Sequence, residues 1–349
     1  MISFLRRSGL FFPLFLAMVL GCDASKKATA VGSEVSTPYA APSPQSSPAD
    51  QTAVSAGPAG PALHIDSTRA WQYVKDIVAI GPRWSGSKGQ QRLGEYLHAK
   101  LKSDQVEEDA FVADTPEGKF TMRNIIAKFP GKKDGIIVLG SHIDTNYPLR
   151  NTSFVGANDG ASSTGLLLAI ADQLRGKKLE GYSVWLAFLD GEEAIRDWTD
   201  EDSLYGSRHL AQKWQQDGTT KKIKAFLLAD MIGYADLDIQ RDTHSTPWLE
   251  DMVFRAATHL GYQSYFFSQT LHDLKDDHLP FARAGVPVAD IIDIYYGYNN
   301  AYHHTIEDTL DKLSPKSLQI TGDVILETIR LLNASAESSL PSAPQRLPS

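Results

Sequence analysis

The stretch Leu189-Asp190-Gly191-Glu192-Glu193-Ala194 decides how the rest of the 349-residue chain is read. It closes an apolar run, Tyr182-Ser183-Val184-Trp185-Leu186-Ala187-Phe188-Leu189, whose length and aromatic and β-branched content predict a buried strand. Two adjacent carboxylates therefore arrive where a strand ends. Neighbouring side chains leave a backbone in different directions, so one Glu can hold a metal while the next reaches over it towards a substrate, a common way to build a metal-assisted acid/base site. Taken alone, a Glu pair is also what a solvated acidic loop contains. Its company favours a site: His142-Ile143-Asp144, Asn158-Asp159-Gly160, Asp230, Asp276-Asp277-His278 and His303-His304 also fall near the ends of apolar segments.

Outward from that strand, the pattern alternates. Helices are predicted over 67–80 (capped by Ser67 and stopped by Gly81-Pro82), 90–101, 161–174, 204–214, 248–260 and 315–332. Strands are predicted over 120–129, 135–140, 183–189, 224–228 and 286–292. Such alternation gives an α/β fold, a single domain with a mostly parallel central sheet flanked by helices. Ligands of such sheets bind beyond the carboxyl ends of the strands, where His142, Glu192 with Glu193, Asp230 and Asp290 are expected.

Composition sets the frame. Residues 1–22 read as a lipoprotein-type signal peptide: Arg6 and Arg7 precede the apolar stretch Leu10 to Leu20, too short for a membrane span. Val19-Leu20-Gly21-Cys22 resembles a bacterial lipoprotein cleavage box, with Cys22 as the residue to be lipidated. The expectation is an exported lipoprotein of the bacterial cell envelope, anchored to the membrane; the alternative is a plain signal peptide with a chance cysteine. Residues 23–62, rich in Ala, Ser, Pro and Gly, read as a flexible linker, 63–334 as the catalytic domain and 335–349 as a disordered tail. Cys22 is the only cysteine, so the chain has no internal disulfide or zinc-thiolate site and any metal must be held by His, Asp and Glu. The formal net charge is -8. Up to His64 there are four basic residues (Arg6, Arg7, Lys26, Lys27) and three acidic ones (Asp23, Glu34, Asp50), so the acidity belongs to the folded part and argues against nucleic acid as a partner.

The set His142-x-Asp144, Asn158-Asp159-Gly160, Glu192-Glu193, Asp230 and His304 resembles the zinc-dependent aminopeptidase superfamily. Three stretches look more like the glutaminyl cyclases (glutaminyl-peptide cyclotransferases) within it: Asp190-Gly191-Glu192-Glu193-Ala194 running on to Trp198 and then Asp202 to His209; Asp276-Asp277-His278-Leu279-Pro280-Phe281 followed by Gly285-Val286-Pro287; and His304-Thr305-Ile306-Glu307-Asp308. The resemblance covers about residues 67–332. It implies that Asp159, Glu193 and His304 hold zinc, that Glu192 is the acid/base, that Asp230 and Asp276 form an acidic network beside it, and that Trp198 lines the substrate pocket. Where many animal cyclases have His and Trp, this chain has Asp290 and His303, which bears on the pocket wall; His303 is read as wall rather than ligand. His209, His272 and His278 are read as structural or solvent-facing.

The implied reaction is cyclisation of an N-terminal glutamine of a peptide or protein to pyroglutamate, with release of ammonia. The α-amine, with a typical pKa of about 7.7 to 8.0, must lose a proton before it attacks the side-chain amide. Glu192 can take that proton and return it to the departing nitrogen, while one zinc stabilises the amide oxygen. Crowding of Glu192, Asp230 and Asp276 should push one carboxyl pKa up; Asp276 has the alternative role of a helix cap. The competing enzyme is a two-zinc aminopeptidase, with His142, Asp159 and Asp230 on the second ion and Asp144 orienting His142. In a one-zinc cyclase His142 stands behind the ligands instead. A non-enzymatic binding protein of the same fold is the third alternative.

Overall fold

The computed structural model describes residues 63–335, and for 268–270 the backbone alone. The expected signal peptide (1–22), the linker (23–62) and all but the first residue of the expected tail lie outside the described residues. In chain order the elements are α1 (Ser67–Ile80), α2 (Lys88–Leu101), β1 (Gln105–Thr115), β2 (Gly118–Phe129), β3 (Gly131–His142), α3 (Ala161–Leu174), β4 (Leu179–Leu189), α4 (Tyr205–Gln216), β5 (Ile223–Asp230), β6 (Ile239–Asp242), α5 (Pro247–His259), β7 (Phe266–His272), α6 (His278–Arg283), β8 (Val288–Ile292) and α7 (Pro315–Ala334). Short 3-10 turns join several of them.

Six strands make one sheet in the order β1-β2-β4-β3-β5-β8, and β6 pairs with β7 beside it. β4, β3, β5 and β8 run parallel, while β2 joins β4 antiparallel and β1 folds back on β2. The parallel centre follows from apolar strands that alternate with helices, and the hairpin makes the whole sheet mixed. β1 was not expected from the sequence, because its run Gln105-Val106-Glu107-Glu108-Asp109 carries three carboxylates. It is an edge strand, where charge discourages further pairing, and Glu107 meets Lys128 and Lys213.

The central strands are apolar on successive residues because both faces are covered. Ile137 and Leu139 of β3 face a core shared with α1, α2, α3, α5 and α7, whereas Ile136 and Val138 face a second core with Leu210 and Trp214 of α4 and Phe281 of α6. α1 starts where expected, but its cap is Asp66, whose carboxylate accepts the Arg69 N–H at 3.0 Å. The four parallel strands stop at Leu189, His142, Asp230 and Ile292. Their carboxyl ends form one edge, and the chemistry-bearing loops leave from it.

Candidate active site

Glu192 and Glu193 follow β4 through Gly191. Its φ of 74° is left-handed, and a Cβ there would come within 2.4 Å of Met122 Sδ, so only glycine turns the chain at this point. Asp190, just before it, is buried and accepts Gln90 Nε2 on both oxygens (2.9 and 2.7 Å) and the Arg123 N–H at 2.8 Å. From below, Asp144 accepts the backbone N–H groups of Glu192 (3.1 Å) and Glu193 (3.3 Å). The two carboxylates are thereby fixed in separate directions.

Asp159 arrives one residue before Gly160, at the start of α3. The Asp308 carboxylate accepts the Asn158 and Asp159 N–H groups at 2.8 and 3.2 Å and the Tyr296 hydroxyl at 2.7 Å. Fully buried Arg83 donates to the carbonyls of Ile143 (3.2 Å), Val155 (2.6 Å) and Gly156 (3.1 Å), tying the end of β3 to this loop. His304 comes from the turn after β8 with a φ of 51°. Left-handed backbone in a non-glycine residue costs on the order of 1–3 kcal/mol and persists where its surroundings enforce it.

These three elements meet. His304 Nε2 lies 3.2 Å from Asp159 Oδ2 and 3.2 Å from Glu193 Oε1. Both oxygens are buried and make no hydrogen bond among the described residues, while Asn146 Nδ2 holds the Glu193 partner oxygen at 2.8 Å. Two bare carboxylate oxygens converging with an imidazole nitrogen suit a divalent zinc-like ion, and burying those charges without a cation is costly. The residues present therefore fit a metal. A second convergence adjoins it: His142 Nε2 is 3.1 Å from both Asp159 Oδ1 and Asp230 Oδ1, and its Nδ1 faces Asp144 (3.7 Å) and Glu192 (3.9 Å).

The electrostatics agree with the geometry. Burial disfavours a charged imidazole, yet the Glu193 and Asp159 carboxylates hold His304 up at about 11, and Asp230, Asp144 and Asp159 hold His142 well above its ordinary value. The surplus of negative charge that favours a proton on these imidazoles is the charge a bound metal ion would neutralise instead. Burial, reinforced by Glu193, Asp276 and Asp277 and opposed by His142, pushes Glu192 well above the usual carboxylate range. Burial together with Asp230 and Asp277 does the same to Asp276.

Above the floor opens a pocket of about 310 Å³. Its wall gathers Glu192, Asp230, Asp276, Trp198 and His303 over Asp159 and His304, with apolar surface from Met231, Leu274, Ile292 and Ile294. Trp198 stands on a loop shaped by Asp202, which accepts the N–H groups of residues 195, 196 and 197 (3.0, 2.9 and 2.9 Å) and the Tyr205 hydroxyl at 2.7 Å. His303 Nδ1 is engaged by Asn300 Nδ2 at 3.2 Å, although the ligand atoms of Asp159, His303 and His304 lie within 4.8 Å of one another.

The peptidase family M28 model matches residues 124–329. A glutaminyl-peptide cyclotransferase-like protein of Bos taurus is 31% identical over 295 residues, covering 73% of each chain. The crystal structure of an Acidobacteriales bacterium glutaminyl cyclase is 51% identical, with a TM-score of 0.77 over 81% of this chain and 99% of that one. The chain belongs to the glutaminyl cyclases. These are acyltransferases within the zinc aminopeptidase-like superfamily, and a structure described as a leucine aminopeptidase precursor of Bacteroides thetaiotaomicron is also similar, at 27% identity and a TM-score of 0.68.

In this cyclase Asp290 does not reach the pocket. It pairs with Leu228, two residues before the Asp230–Ile292 pair that closes the strand ends, and so lies one strand repeat lower, roughly 6.6 Å down. There it faces His278 Nδ1 at 3.5 Å, and His278 Nε2 meets Asp242 at 3.0 Å. His278 is accordingly buried and structural. His209 stacks on Phe111 and pairs with Asp109 at 3.0 Å, and His272 packs edge-on against Tyr295. Asp276 does not cap α6 with its side chain; its backbone carbonyl accepts the Leu279 N–H, and Oδ2 is buried without a partner. Asn146, Asp308, Arg83 and Lys275 were not picked out by sequence reasoning as site residues. Asp308 alone left a signal, as the last residue of the quoted His304–Asp308 stretch.

Proposed function

We propose that this chain cyclises the N-terminal glutamine of peptides or proteins to pyroglutamate, using one zinc held by Asp159, Glu193 and His304. The single observation that carries this reading is the pair of bare buried oxygens of Asp159 and Glu193 facing His304 beneath a pocket walled by Glu192. Relatives named glutaminyl-peptide cyclotransferases support it. Zinc, when bound, polarises the γ-amide carbonyl as a Lewis acid.

The rest falls to the chain's own residues. Glu192 accepts a proton from the α-amine, the amine nitrogen forms a bond to the side-chain amide carbon (Cδ), and the bond from that carbon to the amide nitrogen breaks. Glu192 then returns the proton, and the nitrogen leaves as ammonia. Burial, reinforced by Glu193, Asp276 and Asp277, lifts the Glu192 carboxyl well above its ordinary range, so it holds a proton more readily than an exposed carboxylate does, which suits a group that takes the amine's proton and then returns it. Asp230 and Asp276 stand beside Glu192 in the pocket wall, and Trp198 with Ile292 and Ile294 supplies an apolar wall for the glutamine methylenes.

Mass spectrometry of a peptide beginning with Gln tests this: loss of ammonia with the chain otherwise intact is expected, and release of the first residue contradicts it. The second reading, a two-zinc aminopeptidase, is favoured by the convergence of His142 with Asp159 and Asp230. The same assay on a peptide beginning with Leu separates the two. Finally, Arg6, Arg7, the apolar run and Gly21-Cys22 support export and attachment of the enzyme to a bacterial membrane through lipidated Cys22.

A further inference from the structure

The mouth of the pocket carries one feature that cyclisation itself does not use. Among the residues lining the pocket, Lys275 is the one lysine or arginine; the other charged groups there are carboxylates and histidines. It immediately precedes Asp276 and is exposed, as is Trp198 on the loop that also carries Asp200, whereas the lining carboxylates are buried. A substrate whose first residue occupies the floor has its main chain leaving through this opening. The Cα of the second residue is one step, about 3.8 Å, beyond the first. The second side chain leaves through a mouth whose exposed lining residues are Trp198 and Lys275.

Lys275 is only loosely paired there. Its Nζ stands 3.9 Å from Asp200 Oδ1, at the limit of an ion pair, and Asp200 Oδ2 is held closer by Arg283, at 3.3 Å. Two cations share one carboxylate, and all three side chains are about half exposed. The cluster Asp200, Lys275 and Arg283 has a net charge of +1 and an ammonium free to turn towards a new partner. Asp202, the nearby buried carboxylate, is committed to the backbone of residues 195–197 and does not compete for it.

We propose that Lys275 is a specificity-determining residue that favours substrates with an acidic residue immediately after the N-terminal glutamine. This rests on the cyclase reading of the pocket. The ammonium at the rim attracts a carboxylate at the second position and repels a lysine or arginine there, without touching the reacting atoms. The effect is that of an exposed ion pair: about two- to fivefold in kcat/KM for Gln-Glu over Gln-Ala peptides, with a comparable disadvantage for Gln-Lys. Raising the ionic strength should compress the ratio, since exposed charges are screened.

The test is the ratio of kcat/KM values for Gln-Glu, Gln-Ala and Gln-Lys peptides in the wild-type enzyme and in Lys275→Met, Lys275→Glu and Asp200→Asn. Lys275→Met should bring the Gln-Glu to Gln-Ala ratio to about one, Lys275→Glu should invert it in favour of Gln-Lys, and Asp200→Asn should widen it by freeing the ammonium. A wild-type ratio of one, or a preference for acidic peptides that survives in Lys275→Glu, overturns the proposal while ammonia release from Gln-Ala leaves the cyclase reading standing. If no Gln peptide is turned over by the wild type, the cyclase reading fails and this inference falls with it.

Discussion

Two regions of this molecule surround histidine with buried carboxylates, and they differ in what closes over them. At the start of α6, His278 stands between Asp242 and Asp290, all three wholly buried. Asp242 accepts the N–H groups of His244 (3.0 Å) and Leu274 (3.1 Å) as well, and no residue of this cluster lines the pocket. At the strand ends, His142 and His304 stand among Asp159, Glu193, Asp230 and Glu192, and this cluster is open from above. A buried Asp–His pair is therefore not a mark of chemistry by itself. Nor are bare oxygens, since Asp290 in the closed cluster also leaves both of its oxygens without a hydrogen bond; access to the pocket is what separates the two.

The difference can be broken by substitution. The largest effect is expected from Glu192→Gln, which should keep its metal and lose about 10²- to 10⁴-fold in kcat, the usual worth of a general acid/base. Steady-state kinetics paired with elemental analysis checks it, and normal turnover would remove Glu192 from the mechanism. His304→Ala or Glu193→Gln should instead lose the zinc itself, because two remaining ligands bind poorly. Full metal occupancy in either variant would mean that the ligands are others, with His303 first among them.

His142→Ala sharpens the contrast at smaller scale. Behind a single zinc, it should cost about ten- to a hundredfold in rate or metal affinity and leave one ion per chain. Loss of one of two ions together with nearly all activity would favour the two-zinc reading. In the closed cluster, His278→Ala should leave metal content unchanged and lower stability by about 3–5 kcal/mol, since it strands buried carboxylates. Urea melts read that loss, and a variant of unchanged stability that has lost its zinc would contradict the division between the two clusters. Cys22→Ser should alter none of these quantities and should move the protein from the membrane fraction to the soluble one, as cell fractionation would reveal.

Much of the frame was legible in the sequence because it obeys short-range rules. α1 and α3 begin and end where periodicity and glycine place them, and the parallel strands read as unbroken apolar runs because both their faces are buried. The charged edge strand β1 and the short β6 and β7 were not legible, since their pairing is decided by neighbours far along the chain. At the site, residues adjacent to glycine turns announced themselves: Glu192 and Glu193 after Gly191, Asp159 before Gly160. Arg83 and Asn146 did not, because their partners lie on segments that meet only in the folded chain: Arg83 works through carbonyls about 60 to 73 positions away, and Asn146 works 47 positions from Glu193. Asp290 was expected in the pocket wall because it falls near a strand end. Register decides that depth, and its pairing with Leu228 puts it a layer below.

The most direct test of the central claim is a stepwise return of zinc to the metal-free enzyme while ammonia release from a Gln-peptide is followed. Activity should rise in proportion to zinc and reach its plateau at one equivalent per chain. A plateau at two equivalents, accompanied by release of the first residue from a peptide beginning with Leu, would contradict it.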